Sequence, residues 1–219
     1  MAKNQRVPNR PPGSLPEAET HKALLEAGYK VIAAKGYHST TIDDVCNAAS
    51  VSRATFYFYF SNKKQLFMEI MNYTADDFFA ESTPPQVPQH VSYYERILAG
   101  NLGYFRAWER YAPFLEQMFS LALVDQEVRK VYERNRQRFE SRIEKHIASL
   151  LGRCAIPKCS PPLLAEIIVN LIETTTLRFF LFGGVVNGRH VSIQEMAEEL
   201  SAAWCRVVYG QIPPEIQAL

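Results

Sequence analysis

Residues 52–63 combine hydroxyl, basic and aromatic side chains in a spacing that suits contact with a nucleic acid. If a helix begins at Arg53, then Ala54, Thr55 and Phe58 fall on one side of it, because successive residues are about 100° apart. Arginine and threonine hydrogen-bond base edges in the major groove of DNA, and an apolar ring can contact the methyl group of thymine. These residues, with Arg53 at the exposed end of the helix, are therefore predicted to meet the bases.

A second set of side chains flanks this face and suits the sugar-phosphate backbone. Hydroxyl and ammonium groups commonly donate to phosphate oxygens. A cation in the first turn of a helix, such as Lys63, is unfavourable unless an anion such as phosphate lies nearby. The side chains predicted to contact DNA in this way are Thr40, Thr41, Ser52, Tyr57, Tyr59 and Lys63. The alternative interpretation is a solvated pair of lysines beside an aromatic core.

Two short helices and a tight turn would position these residues. Thr40 and Thr41 are N-cap residues with acidic residues three positions on, and this spacing predicts the start of a helix. Residues 50–52 form the turn, and Ser52 can cap a second helix. Two helices joined by about three residues suit insertion of the second helix into a DNA major groove.

The same region resembles the N-terminal domain of TetR-family transcriptional regulators over about residues 18–68. The matching positions are Gly36–Tyr37, Thr40–Thr41, Val51–Ser52, residues 55–60 (TFYFYF) and Lys63. The resemblance implies a three-helix DNA-binding head on an all-helical body that dimerises and binds a ligand. Ser50 departs from the family pattern, which usually has glycine in the turn, and Phe58 replaces a residue that is often polar or basic.

Composition and charge fit a DNA-binding head on a neutral body. The 219 residues carry a net charge of +1, but residues 1–64 hold nine Lys and Arg against five Asp and Glu. This basic excess suits attraction to phosphates. We predict a flexible basic arm at 1–15, a helix-turn-helix domain at 16–64 and a ligand-binding and dimerisation domain at 65–219. With no membrane span and no signal peptide, the predicted location is the cytoplasm.

The body is predicted to be all helical and to bring the total to about nine helices, with no strand. The helices are expected near 62–79, 91–110, 113–123, 125–151, 162–182 and 192–209, and the charged side of 125–151 is interpreted as a solvated face. The four cysteines show no metal-binding spacing, and no metal or cofactor is predicted; a redox role for Cys154 and Cys159 stays open.

Aromatic residues at helical spacing in the body have two interpretations. They are most simply core, but aromatic walls with a few polar groups also suit a small-molecule pocket. The resemblance favours a pocket for a small, largely apolar or aromatic effector. The candidate lining residues are Phe78, Asn101, Tyr104, Phe105, Trp108, Phe114, Met118, Asn170, Glu173 and Thr174.

The helix near 162–182 is apolar nearly all round, so it must be buried on more than one side. It is either a central helix of a monomer or a helix shared between its own domain and a partner subunit. The resemblance implies a homodimer built from the last two helices. The candidate interface residues are Ile167, Thr175, Arg178, Phe179, Phe182, Met196, Leu200 and Trp204.

These patterns together predict a transcriptional regulator, most often a repressor in the resembled family, that binds a near-palindromic operator in double-stranded DNA. An effector-independent DNA-binding protein is the alternative. An all-helical enzyme is the competing class, but the sequence contains no HExxH, GxSxG, P-loop or glycine-rich dinucleotide motif. We therefore expect no catalytic residues.

Overall fold

The computed structural model of the protein describes residues 17–83, 92–150 and 160–209. These residues form eight α-helices and one two-stranded hairpin, and the prediction of an all-α fold is confirmed. In chain order the elements are α1 (Glu17–Lys35), α2 (Ile42–Ala49), α3 (Arg53–Tyr59), α4 (Lys63–Glu81), α5 (Tyr93–Val124), α6 (Gln126–Leu150), α7 (Pro161–Leu181), β1 (Val185–Val186), β2 (Arg189–His190) and α8 (Ile193–Tyr209).

The chain divides into two compact units between Ile70 and Met71. Helix α4 runs continuously across this division and also across the predicted domain boundary at residue 64. The ranges 16–64 and 65–219 therefore stay a prediction about functional domains. The predicted arm at 1–15 lies outside the described residues, as do Cys154 and Cys159.

The first unit is held together by apolar residues that recur at helical spacing on α1, α2, α3 and the start of α4. Leu24, Val45, Phe56 and Leu66 are fully buried, one from each helix. Helices α1 and α4 approach closely at Gly28, where a Cβ atom would lie only 2.8 Å from Leu66 Cδ2. This compact core fixes α3 against α1 and α2, and leaves the other side of α3 open.

The second unit packs α6 on α7 and α5 on α8. Its core includes the fully buried side chains of Phe105, Ile147, Ile168 and Val208. Gly103 lies against the end of α4, where a Cβ atom would come within 1.9 Å of the Glu81 carbonyl oxygen. Only glycine allows the two backbones to come this close.

The prediction of separate helices at 91–110 and 113–123 is wrong, because α5 is one helix of 32 residues with Pro113 inside it. Proline removes one backbone donor and costs about 3 kcal/mol in a helix interior. Pro113 is exposed, whereas Tyr111, Phe114 and Leu115 on either side are buried. Packing of these neighbours on the core keeps the helix continuous.

A short hairpin that the sequence analysis did not predict connects α7 to α8. Helix α7 ends where Gly183 and Gly184 take positive φ angles of 62° and 69°, and the Gly184 amide donates to Phe179 O at 2.8 Å. Val185 then pairs with His190, and Val186 with Arg189. Strands of two residues are too short to show an alternating pattern in the sequence.

None of the helices in the described parts of the chain combines the length and the apolar character that crossing a membrane would require.

Candidate DNA-binding surface and effector cavity

Helix α2 begins at the capping box that the sequence predicts, with Thr41 as its N-cap. The Asp44 amide donates to Thr41 Oγ1 at 3.2 Å, and the Thr41 amide donates to Asp44 Oδ2 at 2.7 Å. An ion pair with Lys35, together with these bonds from Thr41, holds the pKa of Asp44 far below its usual range. Thr41 is exposed, so its backbone and side chain lie at the surface that carries α3.

The turn between α2 and α3 accepts a serine where glycine would be easier. Ser50 has φ 55°, in the left-handed region, and its amide donates to Asn47 O at 3.2 Å. Ser52 then caps α3, since its Oγ accepts from the Thr55 amide at 3.0 Å. These local bonds set the direction of α3.

One side of α3 is buried and the other is exposed, although both are aromatic. Phe56 is fully buried, but Phe58 is 53% exposed and Tyr57 is 49% exposed. Arg53 and Ala54 are exposed beside them. The Arg53 guanidinium donates to Asp43 at 3.1 Å, but both side chains are largely in solvent. An exposed pair of this kind is weak, so a base or phosphate can compete for the arginine.

Three predicted DNA contacts need correction because their polar groups are used within the first unit. Thr40 is 1% exposed and donates its hydroxyl to Gly36 O at 2.8 Å, so it does not reach a phosphate. The Tyr59 hydroxyl donates to Glu17 O at 3.1 Å. The Lys63 ammonium group donates hydrogen bonds to Tyr37 O at 2.7 Å and to Thr40 O at 2.6 Å.

Lys63 also lies 4.5 Å from the centre of the Tyr37 ring, and burial lowers its pKa. Its ammonium group therefore caps the carbonyls of the turn between α1 and α2, which explains a cation at the start of α4 without any phosphate. Helix α4 itself is capped by Asn62, whose side chain accepts from the Gln65 amide at 2.9 Å.

The second unit contains a cavity of about 260 Å³ between its helices. Most of its wall is apolar or aromatic, and three cationic or titratable side chains, Arg96, Arg142 and His146, lie in the wall with one carboxylate, Glu173. The remaining lining residues are Ser82, Tyr93, Ile97, Gly100, Asn101, Tyr104, Phe139, Ile143, Val169, Ile172 and Trp204.

Glu173 is held by a buried network rather than left open to the cavity. Arg136 Nε donates to Glu173 at 2.9 Å, and the Tyr132 hydroxyl lies 3.0 Å from the same carboxylate. Burial raises the pKa of Glu173, and Arg136 and Tyr132 oppose that rise. Arg136 also pairs with Glu140 and Glu166. Glu173, Tyr104 and Phe139 border both the large cavity and a second one of about 60 Å³.

Six of the ten predicted ligand-binding residues line one or both cavities. Asn101, Tyr104 and Glu173 line the larger cavity. Phe78, Trp108 and Met118, with Tyr104 and Glu173 again, line the smaller one.

The prediction needs correction for the other four residues, which line neither cavity. Phe105 and Phe114 are fully buried in the core, and neither borders either cavity. Asn170 and Thr174 are exposed on the opposite side of α7 from the buried Val169 and Ile172. Helical spacing identifies which residues share a face, but it does not distinguish a packed face from one that borders a cavity.

Sequence reasoning missed Arg142 and His146 because α6 was interpreted as having a solvated charged face. The signal was present: Phe139, Arg142, Ile143 and His146 follow the i, i+3, i+4, i+7 spacing of one helix side. The apolar members of that set should have shown that the arginine and the histidine face inward with them.

The predicted dimer residues are only partly at the surface. Ile167 is 57% exposed, Phe182 is 59% exposed, and Arg178 is also exposed. Thr175, Phe179 and Met196 are half-buried. Leu200 and Trp204 are buried in the core of their own subunit, so the prediction that they meet a partner is corrected.

Among the described residues, no group of three or more His, Cys, Asp or Glu side chains is arranged to hold a metal ion. Cys46 and Cys205 are buried, and burial raises the pKa of Cys46.

Comparison with known proteins agrees with this architecture. Residues 24–70 match the family model described as bacterial regulatory proteins, tetR family. The chain is 41% identical over 58 residues to the uncharacterized HTH-type transcriptional regulator YdeS of Bacillus subtilis, a match that covers 26% of this chain and 29% of YdeS. It is 28% identical over 157 residues to YhgD, another uncharacterized HTH-type regulator of Bacillus subtilis, covering 68% of this chain and 78% of YhgD.

A solved structure with the same fold is a candidate transcriptional regulator from Saccharomonospora viridis in complex with choline, with a TM-score of 0.65 and 18% identity over 84% of this chain and 94% of that one. These relatives and this structural neighbour are regulators rather than enzymes. The match with the family model falls on the helices that carry the exposed face of α3. Over residues 24–70 the chain therefore carries a domain that matches the TetR family of bacterial regulatory proteins.

Proposed function

We propose that the protein is a transcriptional repressor that binds a near-palindromic operator as a homodimer and is released by a small effector. The observation that carries the proposal is the exposed face of α3, where Arg53, Thr55, Tyr57 and Phe58 surround a helix anchored by the buried Phe56. A monomer gains nothing from leaving a phenylalanine 53% exposed. A DNA base stack or a thymine methyl group would cover it.

The proposed dimer uses the outer faces of α7 and α8. Leu163, Ile167 and Leu181 of α7 are large apolar residues at the surface, and Val207 of α8 is another. Their positions follow helical spacing along one side of α7, which suits packing against the same helices of a second copy. Two subunits related by a two-fold axis would present two α3 helices to successive major grooves of one DNA face.

The proposed effector site is the cavity of about 260 Å³ in the second unit. A cavity with a mostly apolar wall and a few polar groups is the usual form of a small-molecule site. The choline complex of the Saccharomonospora viridis protein supports effector binding by a protein of this fold. The effector would release DNA if it bound the dimer conformation that does not fit the operator more tightly, by several kcal/mol, than the conformation that does. A regulator of this type would act in the cytoplasm.

Selection of DNA fragments by the purified full-length protein tests the DNA-binding proposal. We expect enriched fragments to share two related half-sites about one helical turn apart. For the selected site, Arg53→Ala and Thr55→Ala should each weaken binding by about 1–3 kcal/mol. Lys22→Ala, an exposed cation on α1, is the matched control and should change specific affinity little. Enrichment of no common sequence would contradict the proposal.

Light scattering tests the dimer separately. Ile167→Glu places a charge on the proposed interface and should yield monomers. Leu123→Glu makes the same change at a residue that is 77% exposed on α5, and should leave the dimer intact. A dimer that survives Ile167→Glu would rule out this face of α7.

A further inference from the structure

The wall of the larger cavity contains a half-buried cation, Arg142, whose charge no carboxylate among the described residues compensates. Arg142 donates to Thr83 Oγ1 at 2.7 Å, Ser82 Oγ at 2.8 Å and Phe79 O at 3.1 Å, all of them uncharged acceptors. Burial lowers its pKa to about 10, so it is still charged at neutral pH. In the described ranges no Asp or Glu forms an ion pair with it, and residues 84–91 contain neither residue type.

A charge that is partly removed from water is normally paired, because its desolvation is costly. The arginine lies over aromatic rings, 4.5 Å from the centre of Phe79 and 5.4 Å from that of Phe139. These contacts and the three neutral acceptors offset part of the cost. They add no negative charge, so an anion in the cavity would gain from the remaining charge.

Two further nitrogen groups lie in the same wall. Arg96 is exposed and forms no ion pair in the part of the chain that the structure describes. Burial, and then the charge of Arg96, lower the pKa of His146. His146 Nε2 lies 2.8 Å from the Tyr209 hydroxyl, with which it shares a hydrogen bond. The positive charge of the wall is therefore carried by Arg96 on α5 and Arg142 on α6, beside the neutral imidazole of His146.

The carboxylate in the wall does not pair with these two cations. Glu173 is already bonded to Arg136 and Tyr132, and it forms no ion pair with Arg96 or Arg142. A cationic ligand would gain little from Glu173 and would meet Arg96 and Arg142. The charged side chains of the cavity wall that lack an ion-pair partner among the described residues are therefore both cations, Arg96 and Arg142.

The rest of the wall selects an apolar ligand with a hydrogen-bond acceptor. Ile97, Phe139, Ile143 and Ile172 supply apolar surface. The Trp204 indole N–H is buried with no acceptor among the described residues. At the packing density of a protein interior, about 260 Å³ accommodates a body on the order of ten to fifteen non-hydrogen atoms.

Asn101 is oriented by a short hydrogen-bond chain. Ser201 Oγ donates to Ala197 O at 2.6 Å, so it can only accept from Asn101 Nδ2 at 2.9 Å. This arrangement assigns the amide nitrogen to Ser201 and leaves the amide oxygen as an acceptor.

We propose that this cavity binds an apolar or aromatic carboxylic acid as its anion, with the carboxylate at Arg96 and Arg142 and the apolar body between Phe139 and Trp204. The proposal rests on the proposed function for its regulatory meaning, because it names the chemical class of the effector. The binding of the carboxylic acid itself does not depend on the proposed function, because it can be measured without DNA.

Calorimetric titration of the full-length protein with three matched probes tests the charge requirement. The probes are 4-phenylbutyrate, its neutral amide 4-phenylbutyramide and the cation 4-phenylbutylamine, which differ mainly at one end. We expect the acid to bind about tenfold more tightly than the amide, and the amine to bind more weakly than either. Equal binding of acid and amide, preference for the amine or for choline, or no binding of the acid up to its solubility limit would overturn the proposal.

Arg96→Gln removes one cation without disturbing the core, since Arg96 is exposed. We expect it to weaken binding of the acid about tenfold and to leave binding of the amide unchanged. Arg106→Gln, an exposed arginine on the same helix outside the cavity wall, is the control and should change neither. Equal loss in both variants, or no loss in Arg96→Gln, would contradict the assigned position of the carboxylate.

Release of the selected operator separates failure of this inference from failure of the proposed function. Tight binding of the acid without DNA release would leave the ligand class supported and the effector role refuted. Release of DNA by the amine or by choline, without binding of the acid, would leave effector control supported and overturn the carboxylate proposal.

Discussion

Helices α3 and α5 are both rich in aromatic residues, but they bury them differently. Only one side of the seven-residue helix α3 packs on its neighbours: Phe56 is buried there, and Phe58 on the other side is 53% exposed. Helix α5 has 32 residues, and its Phe105 and Trp108 are buried. The difference shows that aromatic content alone does not separate a core from a binding surface. The number of packed sides of a helix decides which of the two an aromatic residue joins.

The strongest test of this comparison is made within α3 itself. Phe56→Ala should lower the free energy of unfolding by about 3–5 kcal/mol, because Phe56 is fully buried. Phe58→Ala, two residues along, is the matched control and should change stability by less than about 0.5 kcal/mol. Urea unfolding of the purified variants measures both values. Similar losses in the two variants would mean that α3 does not present the face assigned to it.

The polar groups of the body provide the next test. Arg136→Met should lower stability by about 3 kcal/mol, because it leaves the buried Glu173 without its charged partner. The double variant Arg136→Met with Glu173→Gln should recover part of that loss. Additive losses, measured by the same urea unfolding, would contradict the interpretation that Arg136 stabilises the Glu173 carboxylate.

A smaller effect on stability is expected from the capping box at the start of α2, the helix on which α3 packs. Thr41→Ala removes the side-chain acceptor for the Asp44 amide and should cost about 1 kcal/mol of stability. Ser39→Ala, at an exposed position before the cap, should be nearly neutral. Thermal unfolding of the two variants would show no difference if the capping box contributed nothing.

Sequence reasoning succeeded where bonds are local. The Ser52 cap lies within three residues of its partner, Thr55, and the buried position of Phe56 follows from helical spacing alone. The extent of an exposed face is also visible in the sequence, because the period of a helix assigns every residue to one side.

Sequence reasoning failed where a partner is distant in the chain. Lys63 caps carbonyls at residues 37–40, and Arg142 caps residues 79–83 at the end of α4. Spacing identifies neither partner, so Lys63 was assigned to a phosphate and Arg142 to solvent. Trp204 shows the same limit, since its helix face was predicted but not the core of its own subunit that the face packs on.

The smallest expected effect concerns pH. His146 has a pKa lowered from its ordinary value of 6.5, so the folded state favours its neutral form. Its stabilising contribution should be present above pH 6.5 and be lost as the pH falls toward the lowered value. The melting temperature should therefore fall less between pH 7 and pH 5.5 in His146→Phe than in the unmodified protein. An identical pH dependence would contradict burial of the neutral imidazole.

The central claim is that the exposed face of α3 contacts bases, and a thymine methyl group gives the most direct test. After an operator has been selected, each thymine of one half-site is replaced in turn by deoxyuridine, which lacks only the methyl group. At one position, binding of the unmodified protein should weaken by about 1 kcal/mol, and Phe58→Ala should be insensitive to the same replacement. Equal sensitivity of both proteins at every position would contradict the assignment of Phe58 to the bases.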